Sequence, residues 1–329
     1  VSELAQRVPS LNITLSNNTR NSTVYIRGIG TSGTNPGIEQ SVGIFIDGVY
    51  VPSAGTIQAG LQDIESVEVL RGPQGTLYGR NTPVGAININ TRAPSQKTEG
   101  MLSGSIDNYR DTRLGGYFGG GITSNLSGRV SMFMQHKGGY EFNLSSNGKV
   151  NGSDQYGVRT RLLWEPESDL SVNLIGYYTR IDSRCCVADQ IDMTSAFRIN
   201  RPGYLAAAAA LGTPFVNLTP GDRIVDDINT GEQHDDIYGL SAQVDKEFAN
   251  GLRFTSITAM NGYRGDIRQL NATFLQQRVI DFSQLLDRKG YSQEFRLTSP
   301  SDGPFTYVAG LYGFYETTEY FTDLRPRQG

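Results

Sequence analysis

Charged side chains flank one sharp break in the chain, and their spacing is the first sign of a function. The segment 64–81 begins as a strand and breaks at Gly72-Pro73-Gln74-Gly75. Proline fixes φ and glycine permits positive φ, so the break must be a turn, shaped by Gly72 and Gly75. Carboxylates lie before the turn and guanidinium groups lie at its edge and beyond it. With one arginine from an earlier strand, the charged set is Arg27, Glu65, Glu68, Arg71 and Arg80.

Such charges can form a solvated face, or they can pair in a network that is shielded from water. Each shielded charge needs a partner, because burying it alone is costly. We favour the network, since these residues stand beside turn glycines in a stretch that is otherwise poor in charge. A network of this kind suits binding or gating and performs no bond chemistry.

Patterns that would indicate catalysis are weak. Residues 28–33 fit G-x-G-x-x-G, but Thr34-Asn35-Pro36-Gly37 follows where a dinucleotide site needs a helix. The only histidines, His136 and His234, are far apart in sequence and indicate no metal cluster. We therefore expect neither an enzyme nor a bound cofactor or metal.

The two cysteines are adjacent, at Cys185 and Cys186. Neighbouring Cα atoms are about 3.8 Å apart, which is shorter than the usual disulfide span. A strained vicinal disulfide and two free thiols both fit the sequence.

The totals exclude some classes of protein. A net charge of −4 over 329 residues shows no excess of lysine and arginine, so we expect no nucleic-acid partner. No apolar run approaches the ~18 residues of a membrane helix, which leaves closed β-barrels open because their signal per strand is weak. Mean hydropathy is −0.35 and 39 residues are glycine, which suits sheets with one polar face.

Residues 1–97 are predicted to form a small mixed α/β domain. The clearest local pattern is the Asp47-Gly48 pair between two apolar runs, which predicts a two-residue type I′ hairpin. From about residue 98 to 329 the sequence consists of segments of roughly ten residues in which apolar and polar residues alternate with period 2. We count about nine strands there, with short and long connections in alternation. That pattern is typical of an outer-membrane barrel, and the alternative is a soluble all-β protein.

Several motifs resemble, in the same order, the plug of TonB-dependent outer-membrane receptors. They are Val24–Gly28, Val42–Val51, Ile64–Asn81 and Gly85–Ile89. The resemblance implies a mainly β fold, in which a small mixed α/β plug domain precedes antiparallel strands of an incomplete transmembrane β-barrel. It also implies a bacterial outer-membrane location and uptake of a scarce ligand, with a ferric siderophore as the first choice.

The resemblance assigns roles and partners too. Arg27, Glu68, Arg71 and Arg80 would brace the plug against the barrel wall, and loop residues Thr31, Asn35 and Gln40 would face the ligand. The partners would be the TonB–ExbB–ExbD complex, outer-membrane lipid and the ligand itself. About nine strands cannot close a barrel of about 22, so we expect an N-terminal receptor fragment that lacks the TonB box. The alternative is a small complete barrel with an N-terminal binding domain, acting as a passive channel or adhesin.

Overall fold

The structure of the chain is a computed structural model. It describes residues 2–14, 22–31, 38–52, 54–58, 63–79, 81–107, 111–185, 210, 221–225, 231–271, 280–302 and 305–326. In that part of the chain, no helix is long and apolar enough to cross a membrane.

The N-terminal unit, residues 2–91, contains two small sheets. Helix α1 (Ser2–Arg7) precedes a three-stranded sheet of β1 (Leu11–Thr14), β2 (Thr23–Ile26) and β3 (Ile29–Gly30). A four-stranded sheet has the order β5-β4-β7-β6 and is formed by β4 (Val42–Ile46), β5 (Val49–Tyr50), β6 (Ile64–Arg71) and β7 (Gly85–Thr91). A 3-10 helix (Ala54–Gln58) and the single-turn helix α2 (Gly75–Tyr78) lie in the connections.

One apolar core holds this unit together. The β4 strand is buried along its whole length and pairs in parallel with β7, whose Ile87 and Ile89 are fully buried. Strands buried on both faces read as continuous apolar runs rather than alternating ones, which explains the Val-Gly-Ile-Phe-Ile sequence of β4. Leu11, Val24 and Ile26 of the first sheet pack into the same core.

Positive φ shapes several turns of the unit, two of which bear on its contact with the sheet. Asp47 (φ 49°) and Gly48 (φ 80°) connect β4 to β5. Gly72 (φ 95°) ends β6 and directs the chain into α2. Glycine reaches this region without steric cost and aspartate tolerates it.

The second part of the chain is a nine-stranded antiparallel sheet, in the order β19-β18-β17-β16-β14-β13-β10-β9-β8. Its strands are β8 (Glu99–Ile106), β9 (Thr112–Thr123), β10 (Leu126–Lys137), β13 (Ser153–Glu167), β14 (Leu170–Cys185), β16 (Gly231–Glu247), β17 (Arg253–Asn271), β18 (Ile280–Thr298) and β19 (Val308–Pro326). The predicted fold class, a small mixed unit followed by antiparallel barrel strands, is confirmed.

The sheet has an inner face, which contacts the N-terminal unit, and an outer face. Along β14, Ile175 is 6% exposed on the inner face, whereas its neighbour Leu174 is 45% exposed on the outer face. The outer positions in the middle of the sheet carry no charge over the part of the chain that the structure describes. On three adjacent strands they are Val158, Thr160, Leu162 and Trp164, then Val172, Leu174, Gly176 and Tyr178, then Tyr238, Leu240, Ala242 and Val244.

A third, small sheet joins two of the long connections. Strands β11 (Glu141–Asn143) and β12 (Gly148–Val150) form a hairpin between β10 and β13. Strand β15 (Ile224–Val225), from the connection between β14 and β16, pairs in parallel with β11. The two connections are thereby tied to each other.

The close approach of β7 to its neighbours gives a test of this packing. A Cβ atom added at Gly85 would lie 2.4 Å from the Leu70 carbonyl oxygen and 2.8 Å from Ile26 Cδ1. We expect Gly85→Ala to lower the free energy of unfolding by about 1–3 kcal/mol, because backbone has to shift. The control is Gly313→Ala, whose Cβ would meet nothing within 4 Å. Equal denaturation midpoints for the two variants would contradict the packing.

Candidate functional site

A carboxylate at the tip of the β4–β5 hairpin joins the N-terminal unit to the inner face of the sheet. Asp47 Oδ2 lies 3.2 Å from Arg159 Nη1, and Asp47 Oδ1 lies 3.7 Å from Arg161 Nη1. Both arginines are on β13, two residues apart, so they point to the same face of the strand. Within its own unit, Asp47 Oδ1 accepts a hydrogen bond from the Thr91 backbone N–H at 2.8 Å. One side chain therefore links the hairpin, the end of β7 and the nine-stranded sheet, which we call the wall.

The two arginines have further partners that hold them in place. Arg161 donates to the Thr91 carbonyl oxygen at 2.6 Å and to Asn173 Oδ1 at 2.9 Å. The Arg159 guanidinium lies over the Tyr177 ring, 4.9 Å from its centroid. We call Asp47, Thr91, Arg159, Arg161, Asn173 and Tyr177 the Asp47 cluster.

The charged side chains of this cluster are buried, so each needs the opposite charge of its partner to offset the loss of contact with water. The Asp47 side chain is 7% exposed, and those of Arg159 and Arg161 are 11% and 16% exposed. The Asp47 carboxylate pairs with both guanidinium groups, and the negative charge of Glu65 also attracts the Arg161 guanidinium. Removing one partner of a buried pair typically costs about 3–5 kcal/mol, because the other charge stays buried and uncompensated.

A second cluster joins the two parts closer to the short turns of the sheet. Arg129 of β10 pairs with both carboxylate oxygens of Asp63, the Nη2–Oδ1 distance being 2.7 Å, and its Nη1 lies 2.5 Å from Glu99 Oε1. The Arg129 guanidinium also lies 3.8 Å from the Tyr117 ring centroid. Its side chain is 3% exposed. This Asp63 cluster fixes the start of β6 to the wall.

Polar and aromatic contacts extend the interface to β17, β18 and β19. Asn261 donates from Nδ2 to the Tyr50 carbonyl oxygen at 3.0 Å. Arg288 donates from Nη1 to the Pro52 carbonyl oxygen at 3.2 Å. The Tyr50 ring meets Phe314 edge to face, with centroids 5.8 Å apart. Strands β10, β13, β17, β18 and β19 thus all contact the same unit.

The members of the predicted charged network that the structure describes lie at the surface of the N-terminal unit. Arg27, Glu65, Glu68 and Arg71 are exposed, and none of the ion pairs found in the described part of the chain involves them. Glu68 instead accepts a hydrogen bond from Asn88 at 3.2 Å. Burial, and then the Glu68 charge, raise the pKa of Tyr78 above its ordinary value. Arg80 lies outside the described residues, and the bracing role of the set stays a prediction.

The other predicted site residues fall at several places. Asp47 and Gly48 form the hairpin turn, Gly72 follows β6, and Gly75 begins α2. Thr31 Oγ1 accepts a hydrogen bond from the Ser41 backbone N–H at 2.9 Å, and Gln40 beside Ser41 is half-buried. Asn35 and Cys186 lie outside the described residues, as does the side chain of Cys185. The ligand-facing and disulfide hypotheses therefore stay predictions.

Sequence reasoning missed Asp63, Arg129, Arg159 and Arg161 as parts of the interface. Asp47 was predicted as a turn residue only. A signal for the arginines exists, because each stands on the polar side of a strand whose other side is apolar. Nothing in the sequence indicates that their partners lie 66 and 112 residues away.

Comparisons with known proteins agree on one family. Residues 1–86 match the family model described as TonB-dependent Receptor Plug Domain. The pesticin receptor of Yersinia pestis is 38% identical over 159 residues, which are 47% of this chain and 22% of that protein. The catecholate siderophore receptor Fiu of Escherichia coli K12 is 34% identical over 90 residues, which are 27% of this chain and 10% of that protein.

The fold is similar to that of a solved receptor. The crystal structure of the ferric yersiniabactin uptake receptor FyuA from Yersinia pestis superposes with a TM-score of 0.79 at 21% sequence identity. The match covers 99% of this chain and 47% of that one. This chain therefore spans about half of the solved relative and about a fifth of the pesticin receptor.

The Asp47 cluster gives a direct test of the interface. Asp47→Asn keeps a residue that tolerates positive φ but removes the only carboxylate bonded to Arg159 and Arg161 among the described residues. We expect the free energy of opening at β4, β5 and β7 to fall by about 3–5 kcal/mol, measured by amide hydrogen exchange.

The matched control is Asp169→Asn, which removes an exposed turn carboxylate that pairs with Lys246 at 2.7 Å. Exposed ion pairs contribute little to stability, so exchange in the N-terminal unit should stay unchanged. Wild-type protection in Asp47→Asn would show that the cluster does not hold the unit.

Proposed function

We propose that the chain is part of a TonB-dependent receptor and takes part in energised uptake of a ferric siderophore across the bacterial outer membrane, which its match to the plug-domain model and its similarity to receptors support. Residues 1–97 would be the plug and residues 98–329 the first strands of a barrel of about 22. The plug would block the lumen until it is moved, and the TonB–ExbB–ExbD complex would supply the energy.

The attachment of the N-terminal unit to the inner face of the sheet is the observation that carries this proposal. Two buried charge clusters hold a folded unit against a wall whose opposite face carries apolar side chains. A gate has to be held firmly when closed and released by work, and buried ion pairs that break as a set suit that task. The uncharged outer band suits contact with lipid hydrocarbon, as barrel strands need.

The choice of a siderophore rests on the relatives. The names of two of them state a catecholate siderophore and ferric yersiniabactin as what they take up or receive. We propose the same class of ligand for this protein, without an enzymatic step, since transport breaks no bond. The proposed ligand-facing groups are Thr31, Asn35 and Gln40.

Growth and uptake assays test the proposal directly. A strain that expresses the receptor should take up at least one ferric siderophore from a panel that also contains cobalamin and glycans, and uptake should vanish when TonB is deleted. TonB-independent entry would favour the second candidate, a small barrel that acts as a passive channel. Binding of cells or surfaces without any uptake would favour an adhesin.

The exposed charges of the plug give a separate prediction. We expect Arg71→Ala to lower ligand uptake by roughly tenfold, equivalent to about 1.4 kcal/mol, with little change in equilibrium ligand binding. The reason is that Arg71 would brace the plug and would not contact the ligand.

The control is Arg253→Ala, which removes an exposed arginine that pairs with Glu247 at 3.3 Å beside a short turn. It should leave both assays unchanged. Equal losses of binding and uptake in Arg71→Ala would reject the bracing role.

A further inference from the structure

The two buried contacts between the N-terminal unit and the wall differ in what each charge keeps when the two parts separate. In the Asp47 cluster, the carboxylate that pairs with Arg159 and Arg161 belongs to the unit. The wall groups that contact these arginines in the described residues are neutral, namely the Tyr177 ring and the Asn173 amide oxygen. Separation therefore takes the paired carboxylate away from both arginines.

The Asp63 cluster is different, because Arg129 has a carboxylate on each side of the interface. Arg129 Nη2 lies 2.7 Å from Asp63 Oδ1, which belongs to the unit, and Arg129 Nη1 lies 2.5 Å from Glu99 Oε1, which belongs to the wall. The Tyr117 ring, also part of the wall, has its centroid 3.8 Å from the guanidinium carbon. The wall by itself thus supplies Arg129 with an opposite charge and an aromatic surface.

The strands of the wall are arranged so that Arg129 can reach Glu99. Arg129 of β10 is directly opposite Gly119 of β9, and Gly119 is directly opposite Glu99 of β8. The arginine side chain therefore passes over β9 to join two strands that are not neighbours. A Cβ atom added at Gly119 would lie 3.2 Å from Arg129 Cγ and 2.9 Å from the Gly128 carbonyl oxygen. Glycine at this position leaves the room that the arginine occupies.

Asp63 also keeps a cation close to it in the chain fold. Arg92 directly follows β7, and its Nε lies 3.9 Å from Asp63 Oδ1. The Arg92 backbone N–H donates to the Asp63 carbonyl oxygen at 2.9 Å, which holds the two residues together. The main cost of breaking a buried ion pair is the charge that is left without a partner. Here Asp63 retains Arg92 and Arg129 retains Glu99.

We propose that Glu99 is an alternative partner that takes over Arg129 when Asp63 leaves the wall. In the closed state Arg129 is shared between the two carboxylates, and in the separated state Glu99 holds its whole charge. The Asp63 contact is therefore the one that breaks first, and the Asp47 contact is the one that holds the unit until last. This order of release rests on the proposed role of the unit as a gate and adds to it the regulation of that gate.

The labelling rate of a thiol on the inner face tests the proposal without any transport step. Ser131 is two residues from Arg129 on β10, on the same face, and is 3% exposed. Ser131→Cys, in a receptor whose Cys185 and Cys186 are replaced by serine, is labelled with a maleimide in isolated outer membranes. Labelling then reports how often the unit separates from the wall at this contact.

The sign of the change separates an alternative partner from a simple stabilising residue. We expect Glu99→Gln to slow labelling about tenfold, because the separated state loses a hydrogen bond between charged groups while the closed state still has Asp63. If Glu99 only stabilised the closed interface, the same substitution would speed labelling. Asp63→Asn should speed labelling, because it removes the contact from the closed state.

A matched control excludes a general effect of wall charge. Glu167→Gln removes a carboxylate that is 66% exposed and pairs with Lys246 at 3.3 Å, so labelling should not change. Thermal unfolding curves identify any variant that fails to fold. Faster or unchanged labelling in Glu99→Gln, equal slowing in Glu167→Gln, or unchanged labelling in Asp63→Asn would overturn the proposal. Uptake that continues without TonB would reject the proposed function instead and would leave the labelling result as it stands.

Discussion

Everything in the interface depends on the fact that a charge cannot be buried alone. Asp47 is withdrawn from water at the tip of a hairpin, so its carboxylate must meet positive charge, and Arg159 and Arg161 offer that charge at a single position on the wall. The same carboxylate is bonded to the backbone of Thr91, which ends the last strand of the N-terminal unit. The hairpin, the exit strand and the wall are therefore fixed relative to one another by one group. Displacing the unit from the sheet breaks the contacts of Asp47 with Arg159 and Arg161 together, whereas the bond from Asp47 to Thr91 moves with the unit.

The strands of the wall face the N-terminal unit on one side and the exterior on the other, and the alternation of their side chains suits both sides. Because successive side chains of a strand point to opposite faces, β14 can present Ile175 to the N-terminal unit and Leu174 to the outside. The pattern also fixes the register, since a slip of one residue would carry arginines such as Arg159 to the outer band and leave Asp47 without them. The uncharged band and the charged interface are thus two consequences of the same alternation.

The sequence predicts the elements well and their partners poorly. Alternation and turn residues are local signals, so the strands and the Asp47-Gly48 turn could be predicted, and motifs in the right order indicated the plug-domain family that residues 1–86 match. The contacts of the interface are not local: Asp63 and Arg129 are 66 residues apart. Arg71 stands beside a conspicuous turn in the sequence, and its side chain is exposed on the unit. Which charge faces the wall is decided by how the unit is seated, and that depends on packing between distant segments.

The long sequence separation of these contacts also bears on how the molecule assembles. Asp47 cannot reach its final environment before β13 exists, and the bonds from Asn261 to Tyr50 and from Arg288 to Pro52 span 211 and 236 residues. Each doubling of loop length adds only about 0.6 kcal/mol to the entropic free-energy cost of closing the loop. Contacts with the later strands therefore cost little more free energy to close than contacts with the earlier ones. Contacts of such high order form slowly. The N-terminal unit precedes in the chain the strands that hold it, so its contacts with the sheet can form only after those strands are in place.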